Sequence, residues 1–156
     1  MVTVLRLLGI TAVTASFVAS CGSGSHPPPS RVTAIDQSAA RFVVGVDADL
    51  RSGKFPHAWR SLHPAQKRVV TAPRLATCYP SHQLPPTVTF VASKVATVAW
   101  TVPGTTRPTQ AKEVTVTAKS RGRVVDTFVQ HVVRVGDRWA WMMSRAFFRA
   151  AKRGAC

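Results

Sequence analysis

Two periodicities meet in this chain, and their order narrows the fold more than any other feature. Between Thr33 and Leu50 the residues Ile35, Ala39, Phe42, Val43, Val46 and Leu50 recur at spacings of three and four. That spacing predicts a helix with one apolar stripe. Thr33 is placed to cap its start, with Asp36 three residues on, and Gly53 to stop it. A second short helix is expected near Pro56, a residue tolerated in a first turn, with Trp59 and Leu62 on its inner face. His63-Pro64 starts a third, expected to run to about Val70, and Pro73 is read as the close of the helical half. Beyond it the period changes to two, with many β-branched residues. Strands are predicted at about 87–102, 111–119, 123–135 and 138–143, the first bent or divided at Ser93-Lys94. Arg121-Gly122 and Gly136-Asp137 read as tight hairpin turns. Val114, Val116 and Ala118 face one way, and Thr115, Thr117 and Lys119 the other. The apolar residues on both faces of 123–135 suggest a strand covered on both sides. Helices followed by a meander make an α+β fold, with amino-terminal helices on a curved antiparallel sheet.

The first 20 residues do not join that pattern. Arg6 precedes an uncharged, mostly apolar run of 12 residues, Leu7–Val18. Spanning a hydrocarbon core as a helix takes roughly 20 residues, whereas this length suits the apolar region of a signal peptide. Val18-Ala19-Ser20-Cys21 resembles the lipobox of bacterial lipoproteins. The resemblance implies lipidation of the Cys21 thiol, cleavage before it, and anchoring on the extracytoplasmic face of the cell membrane. An ordinary secretory signal with a chance cysteine is the competing reading. Gly22 to Ser30, GSGSHPPPS, has the composition of a linker, flexible at first and stiffer at the prolines. The expected organisation is a signal peptide at 1–20, a lipidated cysteine and linker at 21–32, and one domain at 33–156.

That domain resembles the NTF2-like superfamily as found in small actinobacterial lipoproteins. The resemblance is carried by the first-helix stripe, by Gly53-Lys54-Phe55-Pro56-His57-Ala58-Trp59 with Leu62-His63-Pro64-Ala65-Gln66, and by Gly136-Asp137-Arg138-Trp139-Ala140-Trp141. It implies a sheet wrapped around the long helix to leave a cone-shaped cavity. The same fold serves isomerases, hydratases, transport adaptors and proteins without catalysis, so it leaves function open.

The charge points to partners rather than to fold. The formal net charge is +15, and Arg6 is the only charged residue before Cys21, so a chain cleaved there carries +14. This balance favours anionic phospholipid or an acidic envelope polymer. Basic residues are scattered rather than interleaved with aromatics on one surface, which argues against nucleic acid. In Ser144–Cys156 a helix would place Arg145, Arg149 and Lys152 on one face and Phe147, Ala150 and Ala151 nearer another.

Of three cysteines, lipidation of Cys21 leaves Cys78 and Cys156, and an oxidising compartment favours a disulfide between them. Free thiols or a catalytic thiol at Cys78 are the alternatives. The six acids form no evident pair: Asp47 and Asp49, two apart on a helix, diverge. Asp126 and His131 are the candidate cavity-lining polar residues, with Trp100 and Trp139 as aromatic walls. No nucleophile motif, metal-ligand spacing or cofactor motif is evident. The expected function is therefore a non-catalytic domain that binds a small apolar ligand or an envelope protein. Two other expectations compete with it: a cavity enzyme of isomerase or hydratase type using Asp126 or His131, and a basic module on anionic envelope surfaces.

Overall fold

A computed structural model describes residues 33–79 and 87–155. The 18-residue helix α1 (Ala34–Arg51) begins in a reciprocal cap. The Thr33 hydroxyl accepts from the Asp36 N–H at 3.1 Å, and the Asp36 carboxylate accepts from the Thr33 N–H at 3.1 Å. Two amide donors left over at a helix start are satisfied in this way. The helix ends at Gly53, whose φ of +74° is left-handed. Lys54 N–H then reaches the Asp49 carbonyl at 2.8 Å and Gly53 N–H the Leu50 carbonyl at 3.3 Å, the paired bonds of a Schellman ending. Ala39, Val43, Val46 and Leu50 are buried, while Ile35, at the start of the predicted stripe, is 60% exposed.

Three short helices follow: α2 (Phe55–Arg60), α3 (Pro64–Lys67) and α4 (Ala72–Cys78). The third helix is shorter than expected. Pro73 does not close the helical half but sits in the first turn of α4, capped by Thr71. Proline lacks an N–H that a first turn would leave unpaired in any case, so the same residue that stops one helix opens another.

The sheet comprises β1 (Val88–Thr101), β2 (Pro108–Ser120), β3 (Arg123–Val135) and β4 (Arg138–Trp141), ordered β1-β2-β3-β4 and antiparallel throughout. The meander is thus observed, as is the irregularity at Ser93, where the β1–β2 register slips between Ala92 and Lys94. A second slip falls between Ala118 and Lys119. Bulges of this kind bend strands and increase their twist.

One face of the sheet supplies Val114, Val116, Val132 and Trp141 to the main core with α1. The Lys112 ammonium lies 2.6 Å from the Asp36 carboxylate, tying the start of α1 to β2. That ammonium bond, together with the capping bonds, holds Asp36 down to about 2. The opposite face carries a smaller cluster of Val102, Ala111, Val133, Ala140 and Met142. Here the structure corrects an expectation. β3 is not covered on both sides along its length: Val124, Val125, Val129 and Val135 are exposed. β4 pairs with Val132–Val135, so among the described residues most of β3 has a strand on one edge alone.

The closing helix α5 (Arg145–Arg153) is capped by Ser144 and buries Phe148 and Ala151. The expected Ala151 is thus buried and Phe147 packs half-buried on the core, while Phe148, not expected on that face, is buried more deeply. α5 packs on α4, and it ends at Gly154, where a Cβ would meet the Arg74 guanidinium at 2.6 Å.

Candidate functional site

Three groupings of chemically capable side chains lie among the described residues. The first surrounds a cavity of about 370 Å³ lined by Tyr79, Phe128, Gln130, Met142, Met143 and Phe147, among others. Its walls are mainly apolar. Tyr79 and Phe147 meet edge to face at 5.3 Å. The Gln130 Nε2 is buried without a hydrogen-bond partner among the described residues, and so is Asp47 Oδ2. Asp47 lies on the inner face of α1 and is 6% exposed. Burial pushes its carboxyl up to about 7. Burial, and then the negative charge of Asp47, push the Tyr79 phenol up to about 12. At neutral pH Tyr79 is therefore a hydrogen-bond donor, and Asp47 is divided between its acid and its carboxylate.

Asp47 was missed as a site residue on the sequence, and the signal for it was present. It stands four residues after Val43 and three before Leu50, inside the apolar stripe. A carboxylate in that position has to enter the core. Its divergence from Asp49 is real, since Asp49 faces the other side of the helix and contacts the His57 ring.

The second grouping is a groove of about 830 Å³ between α1, the α2–α3 region and the β3–β4 hairpin. Phe42, Val46, Leu62 and Trp139 line it, and so do Arg41, Arg60, Lys67, Arg134 and Arg138. Trp139 donates from its indole to the Ser38 hydroxyl at 3.0 Å, and the Arg134 guanidinium lies 5.3 Å from its ring. Of the four predicted lining residues, Trp139 does border a concave surface.

The third grouping sits on the sheet face away from α1. His131 stacks on Trp100, with ring centres 3.7 Å apart and planes at 14°. Its Nε2 lies 3.2 Å from the carboxylate of Glu113, its cross-strand neighbour. Arg145 reaches over Trp100 at 5.6 Å. Burial lowers the His131 pKa, opposed by the Glu113 charge and hydrogen bond. Trp100 and His131 are thus brought together, but outside both concavities just described. Glu113 had not been singled out, although its register opposite His131 makes the pair. No nucleophile bonds the other ring nitrogen among the described residues, so the pair has no hydroxyl or thiol to activate.

Asp126 corrects an expectation. It is exposed, and its Oδ1 accepts from the Thr127 N–H at 2.7 Å. It stands beside the bulge, on the part of β3 that β4 does not reach. The other flagged histidines are engaged locally: His57 contacts Asp49, and His63 Nδ1 accepts from the Ala65 N–H at 3.2 Å as the cap of α3. Acceptance requires a neutral nitrogen, which burial and the nearby Arg68 favour by lowering the His63 pKa. No cluster of metal-ligating residues occurs among the described residues. Cys78 is disulfide-bonded, while Cys21 and Cys156 lie outside the described residues. Compared with protein-family models, with curated proteins and with solved structures, the chain matches none.

Proposed function

We propose that this is a lipid-anchored NTF2-like domain of the bacterial cell envelope that binds a small, mainly apolar molecule beside Tyr79 and Gln130. The observation that carries the binding reading is the unpartnered Gln130 amide at the wall of an otherwise apolar 370 Å³ cavity. A buried donor without a partner costs about 1–3 kcal/mol, and a ligand acceptor would satisfy it. Pockets of this composition hold a ligand by apolar contact and orient it through a few polar groups. Binding stands ahead of catalysis because Tyr79 and Gln130 border the cavity whereas Asp47 does not.

The experiment is native mass spectrometry of the full-length protein released from its own membranes. A single retained molecule of low mass is expected. Val129→Trp, at a half-exposed position on the cavity wall, should abolish its retention with the fold intact. A protein that carries no such molecule, or retains it in that variant, overturns the reading.

The second reading, a cavity enzyme, is favoured by the neighbouring Asp47 and Tyr79, both displaced from their ordinary pKa ranges. It replaces the first if the retained molecule is turned over and Asp47→Asn stops turnover without releasing it.

The anchor reading rests on Val18-Ala19-Ser20-Cys21 after a short apolar run. Cys21→Ser is expected to leave an unprocessed chain lacking lipid in cell fractionation. A normally processed, membrane-held Cys21→Ser protein ends that reading. With Cys21 lipidated, Cys156 is the partner we assign to Cys78. The packing of α5 on α4 supports this, because it brings Gly154 against Arg74 on the helix that ends in Cys78.

A further inference from the structure

The groove between α1 and the β3–β4 hairpin is separate from the 370 Å³ cavity and stands on its own observations. It has an apolar floor, and its walls carry five cations, Arg41, Arg60, Lys67, Arg134 and Arg138, against two carboxylates, Asp49 and Asp137. Of the ion pairs among the described residues, Asp49 is taken by His57, and Asp137 meets Arg138 only at 3.9 Å with both side chains about nine-tenths exposed. Arg41, Arg60, Lys67 and Arg134 have no acidic partner among the described residues. Two of these cations are held in place. Lys67 hydrogen-bonds the Arg60 carbonyl and lies 5.3 Å from the Trp59 ring, and Arg134 lies over Trp139.

Gly45 supplies an independent observation. It lies in the middle of α1 on the groove wall, where glycine costs about 1 kcal/mol relative to alanine. Nothing in the packing asks for it, because a Cβ there would meet no atom within 4 Å. What the missing side chain leaves is open space in the groove.

We infer that this groove binds a phospholipid with an anionic head group, its phosphate against the guanidinium groups and its apolar part over Phe42, Gly45, Val46 and Trp139. A free phosphate would use the cations and leave the floor bare. A neutral apolar molecule would use the floor and leave the cations unanswered. An anionic amphipath matches both. Planar guanidinium groups suit phosphate oxygens geometrically as well as electrostatically.

The test uses the full chain in non-ionic detergent micelles doped with a photoactivatable phosphatidylglycerol or, separately, phosphatidylcholine, followed by peptide mapping. Phosphatidylglycerol should label the peptides containing residues 38–46 and 134–140 about tenfold more than phosphatidylcholine does. Arg41→Gln with Arg134→Gln should remove most of that preference. Gly45→Phe keeps every charge, adds only to open space, and should reduce labelling by both lipids. Arg145→Gln with Arg149→Gln on α5 should leave the labelling unchanged, which separates the groove from diffuse surface charge. Equal labelling by the two lipids, or labelling that ignores the groove variants, overturns the inference. So does equal competition by glycerol phosphate, which would make the groove a simple anion site.

Discussion

Asp47→Asn is expected to stabilise the protein at pH 8 and to change little at pH 3.5. The folded domain holds the Asp47 proton up to about pH 7, whereas the unfolded chain gives it up near 3.8. Between those values folding takes up a proton, so stability falls as the pH rises. Below 3.8 both states are protonated and the penalty is absent; above about 7 it is complete. At 1.36 kcal/mol for each pH unit, the full penalty is on the order of 4 kcal/mol. Asparagine never ionises and has nearly the same shape, so it removes that penalty. The difference in thermal midpoint between variant and wild type should grow from near zero at pH 3.5 to roughly 10 °C at pH 8. A difference that stays flat across this range would show that Asp47 finds a compensating partner when charged.

Trp141→Ala is expected to be the most damaging single core change. Trp141 is the largest fully buried side chain, 1% exposed. Its indole donates to the Ala58 carbonyl at 2.7 Å. Its backbone N–H bonds Ser61, and its carbonyl accepts from His63. Truncation removes the ring and one bond to the Ala58 carbonyl, which still accepts from the Ser61 N–H and hydroxyl, so the loss is about 3–5 kcal/mol, set mainly by the cavity. Trp141→Phe keeps most of the volume and loses the indole bond, so it should fall between wild type and alanine in a denaturant titration. If phenylalanine proves as harmful as alanine, the hydrogen bond rather than the volume governs the site.

The same region shows where sequence reading runs out. The stripe of α1, its Thr33–Asp36 cap, the Gly53 stop, the bulge near Ser93 and the hairpin turns are local, and local spacing exposes them. The docking of 58–66 onto β4 is not local. Gln66 is fully buried and accepts from the Met143 N–H at 2.9 Å across 77 residues. Nothing around Gln66 in sequence announces a partner so distant. Tertiary context likewise decided Pro73, which opens α4, and the outward face of β3, where Val124, Val125 and Val129 meet water. Trp100 and His131 were each expected to line the cavity; they stack on each other instead, on the sheet face away from α1. Alternation assigns residues to faces, however, and does not say which face carries the helices. Asp47 was legible as a carboxylate within an apolar stripe, but it was weighed only against Asp49.

The bond from Trp139 to Ser38 joins residues 101 apart. A chain emerging from its amino terminus therefore presents α1 long before the hairpin that closes over it. The β1–β2 and β2–β3 hairpins can zip as each turn emerges, since their partners are adjacent in sequence. The stripe of α1 packs mainly on β1 and β2 and gains its β4 contacts, Trp141 among them, only when Arg138–Trp141 arrives. Truncation before Trp139 would leave three strands paired but remove the Trp141 ring from the core and the Trp139–Ser38 bond from the rim of α1. The shortest strand of the sheet is therefore the last to be made and the one that fixes both ends of α1's inner face to the rest of the fold.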